Sequence, residues 1–344
     1  MNAALSEHGP GTGGNLVRQS NVRAMSNANS DRKDGRRQFL KTALGGVAGV
    51  SVASLIGTSA FARARGEAIA ISPVTDSIAL VTGAGSNVVI VTGPDGVVMI
   101  DGGLAERSGD LLKAIGKHSK GASPATLFNT HWHWDHTGSN ERLGKAGARI
   151  IAHENTKLWL GADFEVEWEN RQYAPRPKQA WPNDTFYNGQ RTFDFGSRRM
   201  AYGWLPRAHT DGDIYIHIPD QNVLVAGDLV SVGSYPILDV ATGGWIGGMV
   251  DANKALIDLC DDKTVVVPGT GPLQTKADLV AQHQMLTTMK DRLVGLLRKG
   301  MGTDDLLAAP PTGEFDAKWG DPKLFLVNAY RGLWGHVREV GGIV

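Results

Sequence analysis

The chain has 344 residues, of which 42% are apolar and 20% are charged, a composition typical of a globular protein with a sizeable core. Its 35 basic and 35 acidic side chains balance, which argues against a nucleic-acid partner. The single cysteine, Cys260, excludes an intrachain disulfide and a cysteine-rich metal site.

The first 64 residues predict a leader rather than part of the fold. Residues 1–35 are rich in Asn, Ser and Gly and predict disorder. The run from Arg36 and Arg37 to Phe39-Leu40-Lys41 resembles a twin-arginine export signal, although Gly35 stands where Ser or Thr is usual. A weakly apolar stretch follows at 42–59, and two small-x-small cleavage sites follow within 60–64. A charged region, an apolar region and a small-residue site in this order are typical of a cleavable signal.

The pattern allows two interpretations of this leader. A cleaved signal predicts an exported, periplasmic protein that is handed to the twin-arginine export machinery and keeps no stable membrane span. A retained membrane anchor is the alternative. The apolar stretch, about 18 residues long and interrupted by Gly and Ser, is marginal for a span, so cleavage is preferred.

From about residue 75 the chain alternates short β-branched runs with amphipathic segments. The turn at 93–96 and the spacing of helices between strands favour mixed rather than all-parallel sheets. We expect a catalytic domain over 65–300 and a helical extension packed on it over 301–344. The predicted strands are 87–92, 96–100, 126–129, 149–152, 191–195, 200–205, 213–218, 222–226 and 264–267; the predicted helices are 106–117, 139–146, 249–259, 276–298 and 323–338.

Two segments predict irregular structure. Residues 308–322 are loop-like and precede the C-terminal helix. Residues 161–184 combine several prolines with Trp168, Tyr173 and Trp181. This second segment is either a surface excursion with some buried aromatic side chains or a loop that lines the mouth of a pocket.

Four potential metal ligands occur within six residues: His131, His133, Asp135 and His136. Imidazole and carboxylate groups are good zinc ligands. Side chains alternate along extended backbone, so His131 and His133 can project the same way and share one ion. Asp135 and His136 are displaced around the turn and can face a neighbouring position. The tryptophans between them, Trp132 and Trp134, are expected to pack beside the loop.

Three later motifs also stand where strands and loops meet. His209 lies in a polar turn just before a predicted strand, and Asp228 follows directly after one. A Gly/Pro turn at 268–272 follows the strand at 264–267. Sites built at strand ends are held by rigid elements and open at one sheet edge.

The order of these motifs resembles the metallo-β-lactamase superfamily in its hydrolase branch, which includes the glyoxalase-II-like thioesterases. The resemblance covers roughly residues 75–290, and Asp101 matches the aspartate that follows the second strand in that family. It implies an α+β fold, an αββα sandwich of two mixed sheets with helices outside and metals at one edge. It also implies a first zinc held by His131, His133 and His209, a second held by Asp135 and His136, and a bridge at Asp228.

One position departs from the family pattern. The family usually has histidine as the third residue of the Pro-Gly-x-Gly turn, where this chain has Thr270. A hydroxyl is a far weaker zinc ligand than imidazole. One zinc is therefore expected, while a weaker second zinc, a harder second ion or a single-metal site all stay open.

The expected activity is hydrolysis of a small-molecule ester, thioester, lactone or amide. Water on the first zinc would have its pKa lowered to about 7, and the resulting hydroxide would attack the substrate carbonyl. Asp135 is expected to orient this water and take up its proton, and Asp101 to stabilise the loops beneath. A periplasmic β-lactamase is one alternative, and a metal-binding accessory protein with impaired catalysis is another.

Overall fold

The computed structural model describes residues 67–341 of the chain. The predicted leader, twin-arginine signal and cleavage sites at 1–64 lie outside the described residues. Between residues 67 and 341, no helix is both long and apolar enough to cross a membrane.

Two mixed β-sheets form the centre of the fold. In the first sheet the spatial order is β1-β2-β3-β4-β5-β6-β9, antiparallel as far as β4 and parallel beyond it. Its strands are β1 (Ala70–Pro73), β2 (Ile78–Thr82), β3 (Val88–Gly93), β4 (Gly96–Ile100), β5 (Pro124–Phe128), β6 (Arg149–His153) and β9 (Asp184–Phe186).

The second sheet is antiparallel except for its last, parallel pair. In order, it contains β10 (Gln190–Phe195), β11 (Arg198–Trp204), β12 (Ile214–Ile218), β13 (Val223–Gly227) and β14 (Val265–Pro268). A separate antiparallel pair, β7 (Phe164–Val166) and β8 (Arg171–Tyr173), is joined by a 3-10 turn at Glu167–Glu169.

Helices cover the outer faces of both sheets. They are α1 (Ser108–His118), α2 (Asn140–Lys145), α3 (Glu154–Leu160), α4 (Ile246–Leu259), α5 (Lys276–Arg298), α6 (Thr303–Ala308), α7 (Gly313–Trp319) and α8 (Lys323–Gly335).

 The longest of these helices, α5, begins at a capping box in which Thr275 and Asp278 exchange hydrogen bonds.

The alternation of side chains along each strand builds a layered core. In β3, Val89 and Val91 point into the space between the two sheets, while Val88 and Ile90 point outward beneath α1. In β13, Val225 points between the sheets and Leu224 points outward under α4 and α5. These layers form an αββα sandwich of two mixed sheets with helices outside, so the predicted architecture is confirmed.

The helices after residue 300 pack into the same core as α4 and α5. Leu306, Trp319, Phe325 and Leu333 are all buried in this outer cluster. Burial of such large apolar side chains contributes roughly 1.5–3 kcal/mol each, so these helices belong to the packed body of the protein.

Some predicted elements were wrong. The segment 308–322 contains the helix α7, which tertiary contacts stabilise: Trp319 is buried, and the Tyr235 hydroxyl donates to Asp316 at 2.8 Å. The helix α3 was also not predicted. Within 161–184, β7 and β8 form a hairpin of three-residue strands, too short for alternation to reveal.

Strand ends bring the predicted motifs to one edge of the sandwich. β5 ends just before the cluster that starts at His131, and β13 ends just before Asp228. Gly227 has a φ of +56°, and a Cβ there would meet the Thr130 hydroxyl at 2.7 Å. Only glycine meets both demands without strain, and it turns the chain so that Asp228 enters the site.

Candidate metal centre

Four side chains converge at this edge: His131, His133, His209 and Asp228. Their potential ligand atoms all lie within 4.8 Å of one another. Asp228 Oδ2 is 3.7 Å from His131 Nε2 and 3.6 Å from His209 Nε2. His133 Nδ1 is 3.1 Å from His209 Nε2. The structure therefore brings together three histidines and one aspartate from two different sheets.

Two of these histidines have a defined tautomer because of their outward partners. His209 Nδ1 lies 2.8 Å from the Ile237 carbonyl, which can only accept, so Nδ1 donates and Nε2 keeps its lone pair. The Thr130 hydroxyl donates to Asp101 at 2.8 Å, so it accepts from His131 Nδ1 at 3.1 Å. Both imidazoles thus turn a lone pair on Nε2 into the site.

Carboxylates anchor the other two histidines of the motif. Asp239 Oδ2 accepts from His133 Nε2 at 3.2 Å, which leaves Nδ1 as the inward atom. Asp101 Oδ2 accepts from His136 Nδ1 at 2.8 Å, which leaves Nε2 inward. Such outer acceptors fix the ring orientation and raise the basicity of a metal-ligating histidine.

The donor set fits a divalent cation. His131 Nε2 and His136 Nε2 are buried, and neither has a hydrogen-bond partner among the described residues. Buried polar atoms are normally paired, because leaving one unpaired costs roughly 1–3 kcal/mol. The lone pairs of His133 Nδ1 and His209 Nε2 also face each other. One ion shared by His131, His133 and His209 satisfies three of these nitrogens, and imidazole with carboxylate is a zinc-type ligand set.

The electrostatics of two of the three first-position histidines agree with this assignment, whereas at His133 the Asp239 carboxylate outweighs burial and raises the pKa. Burial, with the nearby His136, holds the pKa of His131 well below its usual value. Burial and the neighbouring His133 lower the pKa of His209 to about 4. Both rings are therefore neutral at pH 7, as a metal ligand must be. At His136 burial opposes the charge, but Asp228 and Asp101 outweigh it and raise the pKa to about 10. The same carboxylates attract a metal cation.

A second position adjoins the first. Asp228 Oδ1 lies 3.5 Å from His136 Nε2, and Asp135 Oδ2 lies 3.9 Å from the same nitrogen. The Asp228 carboxylate therefore faces the first group with one oxygen and His136 with the other. The Asp135 side chain is 25% exposed, so it borders the open side of the site.

The turn that carries Thr270 borders this second position. A Cβ on Gly269 would overlap the Asp228 carboxylate and meet His136 Cε1 at 2.9 Å, so only glycine allows this approach. Asn87 holds the turn by donating to the carbonyls of Pro268 at 2.9 Å and Gly271 at 2.8 Å. Thr270 itself is exposed. The second position thus has one imidazole, where the first has three.

Asp239 was missed by the sequence analysis. Its fully buried carboxylate accepts hydrogen bonds from His133, from the Thr242 hydroxyl at 2.6 Å and from Trp168 Nε1 at 3.2 Å. It lies in a long loop between β13 and α4, with no strand pattern or motif to distinguish it from other aspartates. Asp101, in contrast, has the supporting role expected of it, because its carboxylate binds the Thr130 amide and hydroxyl as well as His136.

The tryptophans of the motif occupy different environments. Trp132 is buried, and its indole donates to the Thr242 hydroxyl at 3.1 Å, which agrees with a packing role. Trp134 is only partly buried, and the Arg171 guanidinium lies 4.8 Å from its ring centroid.

Other candidate ligands lie outside the cluster. His153 bonds the Tyr187 carbonyl at 2.9 Å and stacks on Trp204, while His217 sits within β12. Cys260 is a buried free thiol at the end of α4.

Comparison with known proteins agrees with this geometry. Residues 81–269, more than half of the chain, match the Metallo-beta-lactamase superfamily. The chain belongs to this superfamily. With its His/Asp site, it is a metal-dependent hydrolase, as the sequence predicted.

The relatives found by sequence comparison are distant in sequence. The chain is 29% identical over 212 residues to the human acyl-coenzyme A thioesterase MBLAC2, covering 55% of this chain and 74% of that protein. It is 29% identical over 113 residues to a hydroxyacylglutathione hydrolase from Erythrobacter litoralis, covering 33% of this chain and 36% of that protein.

Solved structures show the same fold. A metallo-beta-lactamase from Pontibacter korlensis superposes with a TM-score of 0.53 at 23% identity, covering 64% of this chain and 99% of that one. A sec-alkylsulfatase from Pseudomonas sp. superposes with a TM-score of 0.59 at 18% identity, covering 76% of this chain and 50% of that one. At these identities the similarity shows the fold alone.

Proposed function

We propose that the chain is a zinc-dependent hydrolase of a small-molecule thioester. The observation that carries this proposal is the convergence of three outward-anchored histidines and Asp228 on one point. A zinc ion held there would supply Lewis acidity and lower the pKa of a water molecule to about 7.

The residues of the site have separate roles in this proposal. His131, His133 and His209 would hold the first ion, and Asp228 faces both positions. Asp135 is partly exposed at the open side of the site, where a water molecule can reach its carboxylate. It orients the attacking water and takes up its proton as a general base. His136, anchored by Asp101, contributes with Asp135 and Asp228 to the second position.

The choice of a thioester among the carbonyl substrates rests on two supports. Two relatives are named for hydrolysis of acyl-coenzyme A and of hydroxyacylglutathione, both of which are thioesters. A thiolate is also a good leaving group, so a site with one well-formed metal position can release it without a strong second ion. An ester, a lactone or an amide remains a test substrate of the same mechanism.

The test is a substrate panel with the zinc-loaded full chain. An acyl-coenzyme A, an acylglutathione, a simple ester, a lactone and a cephalosporin are compared, with His131→Ala as the matched negative variant. We expect both thioesters to be hydrolysed fastest, and this activity to disappear in His131→Ala. A zinc-loaded protein that hydrolyses the cephalosporin but neither thioester would contradict the proposal and favour a β-lactamase.

A metal-binding accessory protein is the second candidate. The exposed Thr270 favours it, because the second position lacks the imidazole that the family usually supplies. Zinc binding without turnover of any compound in the panel would support this candidate over the hydrolase.

A further inference from the structure

The β7–β8 hairpin, residues 164–173, packs against the metal-binding loop. The Trp132 ring meets Phe164 edge-on at 5.1 Å and Tyr173 edge-on at 4.9 Å between centroids. Phe164 and Tyr173 stack on each other across the hairpin at 5.5 Å. Because Trp132 lies between two of the histidines, these contacts fix the hairpin against the residues of the first metal position.

The turn of this hairpin reaches the partner of a ligand histidine. Trp168 Nε1 donates to Asp239 Oδ1 at 3.2 Å, and the other carboxylate oxygen, Oδ2, accepts from His133 Nε2. The Trp168 ring centroid lies 6.3 Å from that of His133. One buried carboxylate therefore connects the hairpin to a ligand of the first position.

The burial of Asp239 makes each of its donors important. Its side chain is 0% exposed, so water does not solvate the charge and protein donors must replace it. Oδ2 accepts from His133 and from Thr242, whereas Trp168 is the one donor to Oδ1 found among the described residues. Loss of the indole N–H leaves this oxygen without a donor among the described residues and removes one of the three hydrogen bonds that hold the carboxylate in its orientation towards His133.

We infer that Trp168 is a positioning residue, which holds the Asp239 carboxylate and through it the His133 ring in the orientation that binds the first metal ion. The hairpin thereby sets the metal affinity of a site that it does not itself ligate. The inference rests on metal binding at the first position in the proposed function, and is independent of the thioester substrate.

The test compares Trp168→Phe with Trp181→Phe in the full chain. Trp181 Nε1 donates to the Arg176 carbonyl at 2.9 Å within the same 161–184 segment, so its replacement removes an equivalent bond that does not lead to a ligand. Zinc affinity is measured by competition with a chromophoric chelator, and the visible spectrum is recorded for the cobalt-loaded proteins. Neither readout requires a substrate.

We expect Trp168→Phe to weaken zinc binding by about 3–10-fold, below the 10–100-fold typical of a direct partner of a ligand. Its cobalt spectrum should shift, while Trp181→Phe should match wild type in both readouts. In an Asp239→Asn background, Trp168→Phe should cause no further loss, because the two side chains act through one carboxylate.

Equal zinc affinities in the two Phe variants, or additive losses with Asp239→Asn, would overturn the inference. Thermal unfolding of the metal-free proteins reports whether each variant folds. If Trp168→Phe does not, Trp168→Leu removes the same N–H and must give the same loss. Failure of wild type to bind zinc would refute this inference together with the metal role in the proposed function, whereas the expected shifts without thioester hydrolysis would refute the substrate alone.

Discussion

The two adjoining candidate metal positions differ in how the chain supports them. The first has three imidazoles from two sheets, each anchored on its outer nitrogen by a carbonyl, a hydroxyl or a carboxylate. The second has the single imidazole of His136 with two partly exposed carboxylates, and Thr270 points to solvent beside it. His136 is buried and is itself anchored by Asp101, so the greater number of anchored imidazoles is what favours the first position. The fold therefore predicts two sites of unequal affinity.

Removal of a first-position ligand should have the largest effect. His209→Ala takes away an imidazole whose lone pair is fixed towards the site, and we expect zinc affinity and hydrolysis to fall by more than about 100-fold, the upper limit for loss of an outer partner. His217→Ala, on β12 of the same sheet, is the matched control and should leave both unchanged. Retention of full zinc affinity in His209→Ala would remove this residue from the ligand set.

An outer anchor of the second position should have the next largest effect. Asp101→Asn keeps a residue type that tolerates the φ of +61° at this position, but removes the charge that holds His136. We expect the weaker zinc to lose about 10–100-fold in affinity, with a smaller loss at the tighter one. A two-phase zinc titration checks this. Equal losses in both phases would show that the positions are not separately supported.

Restoration of the missing imidazole should reduce the difference in zinc affinity between the two positions. Thr270→His places a nitrogen ligand at the turn beside Asp228 and His136, and we expect the weaker zinc to gain on the order of tenfold in affinity. Thr270→Asn has a side chain of intermediate size without imidazole and serves as control. If Thr270→His leaves the weaker phase unchanged, the turn does not reach the second position.

The smallest effect is expected where the C-terminal helix α8 meets the hairpin. Arg331 binds Glu167 through two contacts, at 2.9 and 3.3 Å, but these side chains are 32% and 76% exposed. Exposed ion pairs contribute about 0–1 kcal/mol and are screened by salt. Arg331→Gln should therefore lower the free energy of unfolding by less than about 1 kcal/mol. A difference that persists in high salt would contradict this assignment.

The elements predicted most accurately are those with a long local signal. The predicted bounds of α5 and β4 agree with the structure, because one has many amphipathic turns and the other a continuous apolar run that follows the turn at Gly96. The cluster from His131 to His136 was visible for the same reason, since its candidate ligands are contiguous.

The residues and elements that were not predicted depend on contacts between residues far apart in the sequence. Asp239 and Trp168 are 71 residues apart in sequence, and neither lies in a motif. The short helices α3 and α7 and the hairpin strands are stabilised by packing rather than by local periodicity. The geometry around Thr270 was also hidden, because exposure of a side chain depends on the folded turn and not on its composition.

Zinc titration of the metal-free full chain, followed by competition with a chromophoric chelator, measures the affinities of both positions in one experiment. We expect two phases, with one ion bound tightly and a second bound at least about tenfold more weakly, because the second position has fewer imidazoles and more exposed ligands. Absence of a tight phase, or two ions of equal affinity, would contradict this expectation.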